Sequence, residues 1–500
     1  MIQGTMSNAG KSFLTAGILR ILKQDGYRVA PFKSQNMALN SFITENGLEM
    51  GRAQVMQAEA AGILPDVRMN PILLKPTSDV GSQVIVNGIA QGNMKAKDYF
   101  ARKKELIPEI LNAYHQLECD MDIIVIEGAG SPAEINLKQN DIVNMGLAEL
   151  VDAPVLLTGD IDRGGVFAQL LGTILLLEPK ERERVKGLII NKFRGDKSIL
   201  DPGIAQIETL CQIPVTGVIP YCFVDIEDED SLSERLERKT TRMGTLDFAV
   251  IRLPHISNFT DFNPLERLEH VNLRYITKTS EFGKPDVVFL PGTKNTIGDL
   301  RWLRQNGLEA MIKKHYASGG FLFGICGGFQ MMGRVLKDEL GVEEIGEEKG
   351  MGFFPMMTVM ENEKVRTRVD GVVQKLSKET PFSDLEGAVF TGYEIHMGHS
   401  IWLEQEGERN RFSFLKDQDG NKKVDGYVEK NAIGTYVHGI FEGEVFTNRF
   451  IKLLLDKKGI SLTEPIIGFQ EYKEKQYDLL ADTIRNHINM KQLYEIIGIK

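Results

Sequence analysis

The chain has 500 residues, 42% hydrophobic and 26% charged, enough for roughly two to four domains with buried cores. A net charge of -10 argues against nucleic acid or an anionic membrane as the main partner. The four cysteines, Cys119, Cys211, Cys222 and Cys326, form no CxxC pair, which argues against a zinc site or disulfide framework and fits a reducing compartment.

The chain starts with "MIQGTMSNAGKS", which lacks the basic and apolar regions of a signal peptide, and no apolar run approaches a transmembrane span. A cytoplasmic location is therefore expected. Gly4, Thr5, Gly10, Lys11 and Ser12 lie in "GTMSNAGKS", a phosphate-loop pattern with five residues between its glycines instead of four. Backbone N–H groups and a helix N-terminus would surround phosphate oxygens there. Lys11 would offset phosphate charge, and the Ser12 hydroxyl would bind Mg²⁺. Only Met1, Ile2 and Gln3 precede Gly4, so the strand that normally carries such a loop is either very short or begins upstream of the recorded start.

Apolar runs then alternate with amphipathic stretches, the pattern of βαβ units and a mainly parallel sheet. The expected strands are 28–32, 122–128, 153–160, 187–193 and 214–220, and Leu14, Ile18, Ile21 and Leu22, spaced i, i+4, i+7, i+8, mark a helix-like pattern. Functional candidates sit where these strands end, the binding edge of an open α/β sheet. Glu127 is placed to complete a Mg²⁺ site, Asn191 to read adenine, and Lys33 to hold an anionic intermediate. Asp160 and Asp162 follow another strand, and Asp141 lies in a polar loop where it could also cap a helix.

The charged stretch 225–245 breaks the pattern. The expected division is a first domain at 1–230, a linker at 231–245, a second domain at 246–445, and a helical extension at 446–500 packed on the second domain. A second α/β series runs through 246–254, 285–293 and 319–326, with a further β-prone segment at 431–441. The fold class expected is α/β, with two doubly wound, mainly parallel sheets.

In "GGFLFGICGGFQMMG" the glycines flanking Cys326 indicate a sharp strand-to-helix turn that would present the sulfur to substrate as a nucleophile. His438 in "TYVHGIFE" is the expected base. The backbone around Gly292 and the N–H of Gly327 would form an oxyanion hole. Position 440, two residues after the histidine, is Ile and not an acid. Glu442 is available at a different spacing, so the third member of a triad stays open.

These motifs together carry a resemblance. The loop spacing resembles dethiobiotin synthetase and its relatives, and "GICGGFQMMG" resembles the nucleophile motif of triad-type class I glutamine amidotransferases. "GYEIHMGHS" and "YVHGIFE" look like the cobyric and cobyrinic acid synthase branch of that family. "APFKSQNMALNS", "GRAQVMQAEAAG", "MNPILLKPTSD", "EGAGSPAEINL", "DIVNMGLAEL" and "RLPHISNFTDFNPL" are similar to the cobyric acid synthase family specifically.

The resemblance implies amidation of the b, d, e and g carboxylates of adenosylcobyrinic acid a,c-diamide, with ATP, Mg²⁺ and glutamine. It further implies that Gln330 contacts the glutamine-derived intermediate and that Asp141 lies beside the corrinoid carboxylate. The partners implied are small molecules, with neither nucleic acid nor membrane, and the oligomeric state is open. The nearest alternatives are a cobyrinic acid a,c-diamide synthase and a ParA/MinD-like ATPase switch; the switch leaves Cys326, Gln330 and His438 without a role.

Overall fold

The structure, a computed structural model, describes residues 1–78, 81–226, 244–403, 410–460 and 468–499. Residues 231–243 of the expected linker lie outside the described residues. The chain divides into two compact units. The first comprises Met1–Met37, Met50–Glu227 and Tyr472–Lys500, and the second Ala38–Glu49 and Asp228–Glu471.

The first unit is built on parallel strands. Ile2–Gly4 pairs with Val155–Asp160, which pairs with Val185–Phe193, which pairs with Val215–Pro220. Val29–Phe32 pairs with Ile123–Ile126, and a parallel bridge between Ile2 and Glu127 joins this pair to the others. Ile2–Gly4 is a strand of three residues held from both sides: Gly128 N–H donates to Ile2 O at 2.9 Å, and Ile2 is in register with Leu156.

Successive strand residues point to opposite faces, so each strand feeds two cores. Leu156 and Ile189 join a core with Leu14, Ile18, Ile21 and Leu22 of the helix Lys11–Gln24. Their neighbours Leu157, Leu188 and Ile190 join a second core with Leu170 and Ile174. Apolar runs buried on both faces explain why these strands read as continuous rather than alternating. A smaller sheet, Gln35–Met37, Ile72–Ser78, Gly81–Val86 and Ile89–Lys95, also belongs to this unit.

The second unit repeats the plan. Val271–Ile276, Leu246–Ile251, Val287–Leu290, Phe321–Ile325 and Ala432–Thr435 are consecutive parallel neighbours, and Tyr427–Glu429 adds an antiparallel edge. Phe248, Phe289 and Phe323 pack on one face of this sheet, and Ala249, Val288 and Leu322 on the other. A second sheet is mostly antiparallel and centres on Met356–Val373, which pairs with Val389–Trp402. This sheet is not legible in the sequence, because charged runs such as "ENEKVRTR" hide its alternation.

The chain end differs from expectation. Phe446, Phe450, Ile451 and Leu454 of the helix Glu444–Lys457 belong to a core of the second unit. Tyr477, Leu480, Ala481 and Ile484 of Phe469–Arg485, with Ile488 and Leu493 beyond, belong instead to the first unit's core. The physical reason is complementary shape and charge on the helix Lys11–Gln24. A Cβ on Gly17 would meet Ile484 Cδ1 at 2.2 Å, so the two helices approach closely where glycine leaves room. Arg20 pairs with Glu474 and Asp478, each at 2.8 Å.

Candidate active sites

The loop 4–10 of the first unit leads from strand Ile2–Gly4 into the helix Lys11–Gln24. Its N-cap, Gly10, has φ +89°, a left-handed conformation that suits glycine. Side chains hold the loop's carbonyls. Lys11 Nζ donates to Met6 O at 3.1 Å, Lys192 Nζ to Asn8 O at 2.8 Å, and Asn191 Nδ2 to Ala9 O at 2.9 Å. Thr5 Oγ1 donates to Gln169 Oε1 at 3.0 Å. A Cβ on Gly4 would lie 3.1 Å from Lys11 Nζ, so glycine lets the lysine fold along the loop.

Glu127 follows strand Ile123–Ile126 and is the hub of this site. Its Oε1 accepts from Ser12 Oγ and from Lys33 Nζ, both at 2.9 Å, and its Oε2 accepts from Gln57 Nε2. The Lys33 and Glu127 side chains are 5% and 0% exposed, so this is a buried ion pair with further hydrogen bonds. The structure therefore gathers Gly4, Gly10, Lys11, Ser12, Lys33 and Glu127 around one loop.

Two further candidates hold backbone groups. Asn191 directs its amide nitrogen to the loop itself, and a Cβ on Gly10 would meet that nitrogen at 2.1 Å; it braces the cradle. Asp141 accepts from the backbone N–H groups of Val143, Asn144 and Gly146 at 2.8, 2.9 and 3.0 Å. Its carboxylate thus organises the turn into Met145–Leu150, and Asn144 Nδ2 in turn donates to Ala129 O at 2.6 Å. Asp160 and Asp162 are ion-paired with Lys192 at 2.9 Å and Arg194 at 2.8 Å.

The second site forms where two adjacent parallel strands of the second unit end. Phe321–Ile325 runs into Cys326, whose φ of +51° and ψ of -110° make a strained turn into the short helix Gly327–Met331. The glycines are needed for space. A Cβ on Gly328 would lie 2.0 Å from Leu290 O, and one on Gly324 would lie 2.4 Å from Met332 Sδ. Cys326 N–H donates to Thr435 O at 2.8 Å, tying the elbow to the strand that leads to His438.

The Cys326 thiol donates to Ile395 O at 3.7 Å, and His438 is 1% exposed. Its Nδ1 meets Asp261 Oδ2 at 2.7 Å, while Asp261 Oδ1 accepts from Gly439 N–H at 2.8 Å. Asp261, and not Glu442, is the acid on the imidazole. It lies in "RLPHISNFTDFNPL", 177 positions before the histidine. The sequence held the motif but no spacing rule that links the two residues.

Burial pulls the His438 pKa down, yet the charges of Asp261 and Cys326 and their hydrogen bonds raise it to about 10. Tyr393 stacks on the imidazole with ring centroids 5.5 Å apart. Gly292 borders the same ring, where a Cβ would come within 2.9 Å of His438 Cε1. A Cβ on Gly327 would meet Thr293 Cγ2 at 2.6 Å, so the two proposed oxyanion segments are neighbours.

Gln330 is 2% exposed, and its amide engages Thr296 Oγ1 at 3.2 Å, Met397 O at 3.1 Å and Tyr436 OH at 3.4 Å. His396 stacks on Tyr436 at 4.0 Å, and burial, with Lys423 and His438 nearby, lowers its pKa to about 3.

A thiol, an imidazole and a carboxylate in line are equipped for nucleophilic attack on an amide. Residues 1–232 match a CobQ/CobB/MinD/ParA nucleotide binding domain, and residues 247–446 match a CobB/CobQ-like glutamine amidotransferase domain. Fold and site together define an ATP-using glutamine amidotransferase.

Relatives extend the match along the whole chain. Cobyric acid synthase of Ruminiclostridium cellulolyticum is 56% identical, over 99% of this chain and 96% of the relative. Cobyric acid synthase of Lachnoclostridium phytofermentans is 56% identical over 99% and 98%, and that of Clostridium acetobutylicum 51% over 100% and 99%. The chain belongs to the cobyric acid synthase family. Among the described residues no helix is long and apolar enough to cross a membrane.

Proposed function

We propose that the chain converts the b, d, e and g carboxylates of adenosylcobyrinic acid a,c-diamide to amides, giving adenosylcobyric acid. The observation that carries the chemistry is the Cys326–His438–Asp261 line in one unit, alongside a phosphate loop with its own acid, Glu127, in the other. The identity of 56% to relatives named cobyric acid synthase supports the choice of substrate.

A carboxylate does not condense with ammonia unaided, because its oxygen is a poor leaving group. In the first unit a substrate carboxylate oxygen attacks the γ-phosphorus of ATP, ADP leaves, and an acyl phosphate forms. Gly4, Thr5, Gly10 and Lys11 cradle the phosphates, and Asn191 keeps the loop in shape. Lys33, released from Glu127, neutralises the anionic intermediate. Ammonia then displaces phosphate at the acyl carbon. Asp141 serves as a positioning residue for the loop 141–146, through which it affects how the corrinoid carboxylate is held.

Mg²⁺ fits this site. Ser12 Oγ and Glu127 offer oxygens, and Gln57 adds a buried carbonyl oxygen without a hydrogen-bond partner. When bound, the ion would stabilise charge on the transferring phosphoryl group.

In the second unit the Cys326 thiolate attacks the side-chain amide carbon of glutamine. The C–N bond breaks as His438 delivers a proton to the departing nitrogen, so ammonia leaves and a thioester remains. His438, now neutral, takes a proton from water, whose oxygen attacks the thioester and releases glutamate. The amides of Gly292 and Gly327 stabilise the oxyanion, and Gln330 orders the wall that the glutamine-derived intermediate contacts. The free thiols Cys119, Cys211, Cys222 and Cys326 fit a cytoplasmic location.

Paired variants test the reading. Cys326→Ser is expected to abolish glutamine-driven synthesis and retain ammonia-driven synthesis, whereas Lys11→Ala damages both. Intact glutamine use in Cys326→Ser would remove the nucleophile from the scheme. Product mass separates the substrate choices: four added amides support this reading, and two support a cobyrinic acid a,c-diamide synthase.

A further inference from the structure

Gln57 sits in the helix Arg52–Ala61 with no exposed surface, directly against the proposed cation site. Its two amide atoms have unequal fates. Nε2 donates to Glu127 Oε2, while Oε1 is buried with no hydrogen-bond partner. The orientation of the amide follows from its neighbour, because a carboxylate oxygen accepts only from the NH₂ end. A buried carbonyl oxygen left without a donor is destabilising, so packing alone gives no reason for an amide here. A leucine would fill similar volume without that cost.

Glu127 explains half of the choice. Its Oε1 is shared by Ser12 and Lys33, and its Oε2 is fixed by Gln57, so both carboxylate oxygens have set directions. The orphaned Oε1 of Gln57 explains the other half if a donor arrives with the ligand. Magnesium keeps several waters when it binds phosphates, and those waters are strong donors. We propose that Gln57 is a positioning residue for the divalent cation: Nε2 orients Glu127, and Oε1 accepts a hydrogen bond from a water of the cation's shell. A neutral amide does this without adding a second negative charge beside Glu127, so the site without nucleotide keeps Lys33 as its counter-ion.

This inference rests on the reading that Ser12 and Glu127 hold the cation, and the test separates the two. Mn²⁺ is titrated into the full-length chain in the presence of excess ADP, with bound and free ion distinguished by electron paramagnetic resonance. If wild type takes up no Mn²⁺ beyond what ADP alone holds, or Glu127→Gln takes up as much as wild type, the cation reading itself fails. With that reading intact, Gln57→Leu is expected to weaken Mn²⁺ binding about 10- to 100-fold. Its affinity for ADP without metal should stay within about twofold, a split that a purely structural role would not produce.

Unchanged Mn²⁺ affinity overturns the proposal, as does an equal loss of metal-free ADP binding. Should Gln57→Leu fail to fold, Gln57→Glu decides. It keeps an oxygen and adds charge, so Mn²⁺ binding without nucleotide should rise at least about tenfold, by the dependence of such sites on ligand charge. No rise overturns the proposal.

Discussion

His438 carries the clearest pH signature. Its proton is held to about 10 in the folded protein, against an ordinary value of 6.5. Folding therefore gains stability that is complete below about pH 6.5 and is lost as pH rises through about 10. Asp261→Asn removes the foremost charge that raises this value, so both the alkaline loss of stability and the alkaline limb of glutamine hydrolysis should begin at lower pH. Denaturant midpoints and glutaminase rates from pH 6 to about 10 would check this. The variant should also lose about 100-fold or more in kcat/KM, since the imidazole loses its orienting acid. An unchanged pH profile would mean that Asp261 only fills space.

Lys33 and Glu127 give a second residue-scale expectation. Removing one partner of a buried pair leaves a charge without compensation, so Lys33→Met should destabilise the protein by about 3–5 kcal/mol. Adding Glu127→Gln should restore much of that loss. A double-mutant cycle in urea measures the coupling, and additive effects would contradict the pairing.

At the scale of elements, the helix Lys11–Gln24 serves two purposes: its first turn forms the phosphate cradle, and its buried side carries the chain's last helices. Leu14, Ile18, Ile21 and Leu22 each contribute about 1.5–3 kcal/mol of burial. Gly17 is a point of close approach, where an added Cβ would overlap Ile484. Gly17→Ala should therefore lower stability by about 1–3 kcal/mol despite alanine's better helix propensity, read as a shift in urea midpoint. A gain in stability would show that the two helices part easily.

The elements most legible in the sequence were the parallel strands and the cysteine elbow. Buried strands such as Val155–Asp160 and Val287–Leu290 stand out as short apolar runs, and the glycines around Cys326 mark a turn with a defined cause. Pairing was less legible. Asp261 reaches His438 from a distant segment, Asn191 braces the loop with its amide nitrogen, and Asp141 caps its own backbone. The antiparallel strand Met356–Val373 was hidden because much of it is polar and partly exposed. Local pattern specifies what a segment can become; long-range contacts decide which partner it takes.

For the whole molecule, each core cluster among the described residues lies within one unit, so a ligand of one unit need not stiffen the other. Nucleotide binding should slow amide exchange in peptides of the first unit, at about 2.7 kcal/mol for ligand at one hundred times its Kd. Peptides within 472–499 should be included, because they share a core with the helix that begins at Lys11. Hydrogen-exchange mass spectrometry with and without ADP would test this. Protection that stops at residue 226 would contradict the shared core.

That shared core also bears on biogenesis. Ribosomes deliver residues in order, at roughly 5–20 per second. The apolar stripe of Leu14, Ile18 and Ile21 thus emerges early, but its cover of Leu480, Ile484 and Leu493 is translated almost five hundred codons later. The nucleotide-binding half starts first and matures last, and a prematurely terminated polypeptide would display a greasy surface for chaperones and proteases to recognise.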